Sequence, residues 1–298
     1  MLKQEQIDQF HHDGFMNGGR ILSDEQIEEY IGELARILDI GPNGFGEDDP
    51  KPVLFRDLSA GGYETNENGG GPTPVWQIVN IWEASKAFEE LIYHPSVAGA
   101  ISQLTGFDDL QVWHDQIQYK PKSKGGALGW HQDAPLWPSI EPMTPVSAWI
   151  PFDDADEENG CMWMVPGSHK WGDNNRYLRG FHHLKSLDEF GEIGNDFTAP
   201  EHAEVRELKA VPRPVKRGEV HFHHSLTWHG SPMNPSQRPR RAIAIHFMTS
   251  EARYTGRPHA MQKFIEVEVG EPMLNAGPHF PVVCKDGQPV ELPVCVNR

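Results

Sequence analysis

At 298 residues, with 38% hydrophobic and 23% charged side chains, the chain has the composition of an ordinary globular protein able to bury a core. Its formal net charge of −17 argues against nucleic acid and anionic membrane surfaces as partners. No apolar run approaches the ~20 residues of a membrane-spanning helix, and the polar opening from Met1 to Gln6 carries no secretory signal. The three cysteines, Cys161, Cys284 and Cys295, fit neither a disulfide framework nor a zinc spacing, so a cytoplasmic location is expected.

A short helix is expected over 4–12, ended by Asp13-Gly14. A second begins at Ser23, with Gln26 three residues on to complete a capping box. Ile27, Tyr30, Ile31, Leu34, Ile37 and Leu38 then recur at helical spacing until Gly41. The stretch 41–74 is rich in Gly, Pro, Asn and acidic residues and reads as a long loop, either a lid over a pocket or a plain surface loop, with 66–71 its most flexible part. Helices follow over 85–93 and 96–105, the latter stopped by Gly106. From there short β-rich runs take over, at 110–119, 146–152, 161–165, 205–211, 219–223 and 242–248, separated by turn clusters at 122–126, 153–160 and 234–239. Helices first and many short strands after argue for a mainly β domain, a sandwich or jelly roll with an N-terminal helical layer. One domain is expected over 1–298: a helical layer and loop over 1–106, a jelly-roll core over 107–250, and C-terminal strands and loops over 251–298.

The chemistry concentrates in Gly129-Trp130-His131-Gln132-Asp133 and Trp228-His229-Gly230-Ser231, with Arg240 beyond. On a strand, residues i and i+2 share a side, so His131 and Asp133 can reach one metal while Gln132 points away. Two imidazoles and a carboxylate on one face of an iron ion leave three positions for chemistry, and no thiolates lie near to suggest structural zinc. A lone His-x-Asp is weak evidence in a chain with 16 histidines, and 221–224 offers rival imidazoles in His221, His223 and His224. Arg240 and Arg241 fall on opposite faces of one strand, and either guanidinium can grip a carboxylate through paired hydrogen bonds.

The ordered set is more specific. His131-x-Asp133, Asn159-Gly160-Cys161, Val165-Pro166-Gly167-Ser168-His169, His229-Gly230-Ser231 and Arg240, with an opening Phe10-His11-His12-Asp13-Gly14-Phe15, resembles the phytanoyl-CoA dioxygenase family of Fe(II)/2-oxoglutarate-dependent oxygenases from about 4 to 247. The resemblance implies a double-stranded β-helix (jelly roll, cupin-like), with Fe(II), 2-oxoglutarate and O2 as cofactors. It implies His131, Asp133 and His229 as catalytic iron ligands, with His223 and His224 either beside the site or solvated. Arg240 rather than Arg241 then anchors the far carboxylate of 2-oxoglutarate, helped by Ser231. Trp149 falls where the family has a tryptophan beside the oxoacid. Gln77 aligns with a family lysine that contacts it, a departure that removes one charge. His114, Gln116 and Gln118 alternate along one strand face that can line the cosubstrate pocket. Trp76, Trp82, Trp113, Leu136, Trp137 and Trp163 flank these motifs as candidate substrate walls, each also a candidate core residue.

The activity implied is a dioxygenase, a hydroxylase or desaturase acting on a small organic molecule. Related halogenases lack the carboxylate that Asp133 supplies. The short basic stretches and the acidic balance argue against an acyl-CoA substrate, although acidity also serves solubility alone. A non-oxidative metal-binding jelly roll (a small-molecule sensor, isomerase or hydrolase) is the rival. Oligomeric state is open.

Overall fold

The computed structural model describes residues 1–57, 75–192 and 208–293. The first helix, α1, covers Gln4–Asp13 and closes on Gly14 in the left-handed conformation. Strand β1 (Phe15–Arg20) leads to α2 (Asp24–Ile40). Ser23 caps α2 as its sequence requires: Gln26 N–H donates to Ser23 Oγ, and Ser23 N–H donates to the Gln26 side chain, an arrangement typically worth ~1 kcal/mol. Strands β2 (Leu54–Asp57) and β3 (Trp76–Val79) follow, then α3 (Lys86–Ile92) and α4 (Pro95–Thr105). Next come β4 (Leu110–Lys120), β5 (Leu128–His131), β6 (Ile140–Glu141), β7 (Val146–Pro151) and β8 (Met162–Met164). Two short helices, α5 (Asn175–Leu178) and α6 (Leu187–Glu192), precede β9 (Val211–Arg213), β10 (Glu219–His224), β11 (His229–Ser231) and β12 (Arg240–Thr249). The C-terminal part adds β13 (Arg253–Tyr254), β14 (Val282–Lys285) and β15 (Gln288–Pro289).

The strands build a double-stranded β-helix. Among the described residues a nine-stranded antiparallel sheet runs β1-β10-β7-β12-β4-β14-β15, with β3 also on β4 and β2 on β3, and a four-stranded sheet runs β5-β11-β8-β9. Strand alternation separates core from site. Met16, Ile117, Ala148, Phe222, Ile243 and Ile245 point outward from the large sheet and share one apolar cluster with Ile27, Leu34, Phe88 and Ile101 of the helices. Their strand neighbours Gln116, Gln118, Ser147, Trp149, His223, Ala244 and His246 point inward, toward the small sheet.

Two expectations need correction. The N-terminal third is not only helix and loop: β1, β2 and β3 belong to the large sheet. They are short or glycine-bearing, so their sequences carry little alternation to read. The β-rich run at 205–211 is a strand over Val211–Arg213, and 205–207 lies outside the described residues. So do Cys295 and 58–74, which is half of the 41–74 loop and includes 66–71. The segment from Glu251 packs on the sheet through β14, which pairs with the start of β4, and through a cluster of Trp113, Met261, Met273 and Phe280. No helix among the described residues is long and apolar enough to cross a membrane.

Candidate metal centre

His131 ends β5 and lies directly opposite His229 of β11 in the antiparallel register. That pairing carries two imidazoles, remote in sequence, to one place, with ring centroids 4.2 Å apart. Gly230 permits it, because a Cβ there would lie 2.9 Å from Leu128 O and 3.1 Å from the Phe190 ring. Asp133 arrives by another route than the expected strand. The chain leaves β5 after His131, and Asp133 adopts helical dihedrals at the head of a 3-10 turn over Ala134–Leu136, its N–H donating to Ser225 O. Gln132 turns away and bonds Gly172 O and Leu226 O.

One ligand atom from each of His131, Asp133 and His229 lies within 4.8 Å of the others. Asp133 Oδ1 is 3.6 Å from Nε2 of each histidine. Each ring hands its Nδ1–H to a main-chain carbonyl, His131 to Gly129 O at 2.7 Å and His229 to Thr227 O at 2.9 Å. Nε2 is thereby left bare and facing the centre, as a metal-binding imidazole needs. Burial disfavours the charged carboxylate, but His229, His131 and His223 around Asp133 hold its pKa well below the ordinary value. Burial, and then the neighbouring His131, pushes His229 down to about 3. Burial works against a charged His131, but the Asp133 carboxylate beside it raises its pKa above the ordinary value. Once His131 is deprotonated by metal binding, two imidazole nitrogens and one anionic oxygen are a donor set that suits Fe(II).

Arg240 opens β12 on the inward face. Its side chain is fully buried, and none of its three guanidinium nitrogens has a hydrogen-bond partner among the described residues. Burial lowers its pKa only to about 10, so it stays charged near neutrality. The guanidinium lies 5.6 Å from the Trp149 ring. Ser231 Oγ is likewise buried and has no partner among the described residues. Lys120, which the sequence reading overlooked, sits opposite Arg240 in the β4–β12 register and donates to the carbonyls of Ser231 and Pro232. It ties the strand end bearing Ser231 to the sheet bearing Arg240. Arg241, on the other face, is paired with Asp153 at 2.6 Å.

The remaining candidates divide. Trp149 Nε1 donates to Gln118 Oε1. Gln77 bridges Arg56 and Gln116. The His114 ring lies 4.8 Å from that of His246, and Trp137 stands 4.5 Å from His246 and 5.6 Å from His114. Leu136 is 45% exposed in its turn. Trp113 stacks on Phe280 and faces His259. Trp82 belongs to the helix-side core, and Trp76 lies edge-on to Phe55 on that same side. Trp163 alternates with Met164, whose sulfur meets His221, so its ring faces away from the centre. His223, expected near the site, meets Asp133, and Ser147 and His246, which were not expected there, stand on the same side of the carboxylate. Strand parity with Trp149 and Arg240 was the signal that could have found Ser147 and His246.

The family model for phytanoyl-CoA dioxygenase (PhyH) matches residues 10–242. The chain belongs to the phytanoyl-CoA dioxygenase family. Relatives include a mouse phytanoyl-CoA dioxygenase domain-containing protein 1, 32% identical over 272 residues, covering 83% of this chain and 90% of that protein. An ectoine dioxygenase of Bordetella bronchiseptica is 25% identical over 260 residues, 84% of this chain and 76% of the relative. A solved structure of SnoK, a non-heme alpha ketoglutarate dependent carbocyclase from nogalamycin biosynthesis, shares the fold with a TM-score of 0.69 at 24% identity, covering 94% and 96% of the two chains. Phytanoyl-CoA dioxygenase family members are iron- and 2-oxoglutarate-dependent oxygenases that act on small molecules, and iron and 2-oxoglutarate are the cofactors expected of this chain.

Proposed function

We propose that this protein is an Fe(II)/2-oxoglutarate-dependent dioxygenase that hydroxylates a small organic molecule other than an acyl-CoA. His131, Asp133 and His229 hold the iron. Arg240 and Ser231 receive the far carboxylate of 2-oxoglutarate, with Trp149 against the guanidinium. The observation that carries this reading is the buried, unpartnered Arg240 on the face that looks toward the centre. A lone buried cation is costly, and a dicarboxylate able to reach from the metal to the arginine removes that cost. A sensor or hydrolase that used the metal alone would have no use for it.

When bound, iron would activate O2, which is the oxidant: 2-oxoglutarate would give up two electrons and take one oxygen atom as it became succinate and carbon dioxide, leaving the other oxygen atom for the substrate. The chain supplies the rest. A firmly ionised Asp133 and a neutral His229 bind the metal without first losing a proton, whereas His131, whose pKa is raised against the effect of burial by the neighbouring Asp133, releases its proton on binding. The inward-facing strands orient the oxoacid, and the two sheets shield the centre from water. Asp133 favours hydroxylation over halogenation, and the net charge of −17 disfavours a phosphate-rich coenzyme A thioester. Trp137, packed against His114 and His246, is the candidate substrate wall that ring contacts connect to the groups around Asp133.

Anaerobic titration with Fe(II) and 2-oxoglutarate tests the reading. A weak visible charge-transfer band should grow to one equivalent. Screening small molecules should then reveal substrate-stimulated succinate release, with one oxygen atom added to the product. No band at saturating Fe(II) and oxoacid overturns the assignment.

A further inference from the structure

A chain of hydrogen bonds runs across the inner face of the large sheet from β2 to the Asp133 carboxylate. Arg56 Nε donates to Gln77 Oε1 at 2.9 Å, and Gln77 Nε2 donates to Gln116 Oε1 at 2.6 Å. Gln116 Nε2 meets His246 Nε2 at 3.0 Å, His246 Nδ1 meets Ser147 Oγ at 2.7 Å, and Ser147 Oγ meets Asp133 Oδ2 at 3.2 Å. The directions follow from the donor inventory. An amide nitrogen only donates, so His246 Nε2 is the acceptor and the ring proton sits on Nδ1. That proton goes to Ser147 Oγ, which leaves the serine hydroxyl to donate to the carboxylate. Every bond therefore points from a guanidinium toward an anion, the sense in which successive bonds reinforce one another. Gln116, His246 and Ser147 are all buried.

His223 Nε2 also meets Asp133 Oδ2, at 3.2 Å. Two protein groups thus occupy Oδ2, while Oδ1 is the oxygen 3.6 Å from Nε2 of both His131 and His229. We propose that Ser147, His246 and Gln116 are positioning residues that make Asp133 a one-oxygen ligand, engaging Oδ2 so that Oδ1 alone is offered to the metal. This rests on the metal assignment above and deepens it. A carboxylate gripping with both oxygens would take a fourth coordination position. Held by one, it leaves three for an oxoacid that chelates through two atoms and for oxygen. Gln77, standing where relatives are expected to carry a lysine, is in this chain a link in the network, with Arg56 at its head supplying the charge.

Co(II) binding tests this without turnover, since its visible absorption intensity reports coordination number and its titration gives Kd. Ser147→Ala and His246→Leu should weaken Co(II) binding by about 10- to 100-fold, as losses around a metal ligand do, and should change band intensity as Oδ2, left to His223 alone, becomes able to swing onto the metal. Ser147→Thr keeps the hydroxyl and should retain both Kd and spectrum. His246→Asn, whose amide N–H takes the place of Nδ1–H, should recover most of the affinity lost in His246→Leu. His246→Gln, which reaches the other ring position, should not. Gln116→Leu, two links back, should give a weaker effect in the same direction and serves if a nearer variant fails to fold. Parent-like Kd and spectrum in Ser147→Ala and His246→Leu overturn the positioning role while leaving the metal site intact. Failure of the parent protein to bind Co(II) overturns both readings together.

Discussion

Arg240 and Arg241 are consecutive in the chain and opposite in environment. Arg241 is satisfied by Asp153, to which its Nε and Nη2 both donate, whereas Arg240 is buried with its hydrogen-bonding capacity unspent. Removing the two should therefore have different consequences. If Arg240 holds the oxoacid as proposed, Arg240→Leu would forfeit two charge-assisted hydrogen bonds to it, each worth about 1.5–3 kcal/mol. It should raise the Kd of 2-oxoglutarate on the order of 100-fold or more in a charge-transfer titration, with Fe(II) binding little changed. Arg240→Lys keeps the charge but not the planar fork and should fall between. Arg241→Ala should leave the 2-oxoglutarate titration unmoved and cost about 1 kcal/mol in urea denaturation. Equal losses of oxoacid affinity in the two would refute the assignment. Asp133→Ala removes the anionic ligand and should abolish product formation and substrate-coupled succinate release. A variant that kept both at the parent's rate would show that Asp133 is not a ligand.

At the level of elements, legibility followed the strength of periodicity. Helix α2 announced itself by its cap, its apolar stripe and Gly41. Strands β4, β7 and β12 announced themselves as β-rich runs of six or more residues between turn clusters. His131 and His229 were readable as motif partners, but the register that sets them face to face is a long-range pairing that no local pattern encodes. Asp133 reached the expected place through an unexpected turn, because Ser225 O accepts its N–H just past the strand end. Lys120, Ser147 and His246 went unread because polar residues at inward positions of a strand look, in sequence, like a solvent-facing side. Asp115 is the reverse case, polar on the outward face of β4. It accepts hydrogen bonds from the N–H groups of Ile81 and Trp82 and so anchors the 3-10 turn over Ile81–Glu83. Burial lifts its carboxyl from the ordinary 3.8 to about 8, so between those values the folded protein keeps a proton that the unfolded chain releases. Its contribution to stability is whole below about pH 4 and declines as pH rises toward 8, by at most about 1.4 kcal/mol per unit. Asp115→Asn cannot titrate. The gap between parent and variant urea midpoints should shift in the variant's favour from pH 5 to pH 8, and a gap that stays constant across that range would show that Asp115 is ionised throughout.

Across the whole molecule, the site is a joint between the two sheets. His131, His229 and Ser231 come from the small sheet, while Arg240 and the groups that hold Asp133 come from the large one. A metal ion bound by the first pair and by Asp133, with an oxoacid running on to Arg240, cross-links both layers in the folded state and has no equivalent site in the unfolded chain. Ligands of this kind stabilise by mass action, about 2.7 kcal/mol at a concentration 100-fold above Kd. Co(II) alone should therefore raise the melting temperature of the parent, and Co(II) with 2-oxoglutarate should raise it further. The increments should separate by residue: Asp133→Ala should lose most of the metal increment, whereas Arg240→Leu should keep it and lose the oxoacid increment. Differential scanning calorimetry of the parent and the two variants, each with and without the ligands, gives all the values needed. If Arg240→Leu kept the full oxoacid increment, the far carboxylate would have to be held elsewhere, and the link between the sheets would run through the metal alone.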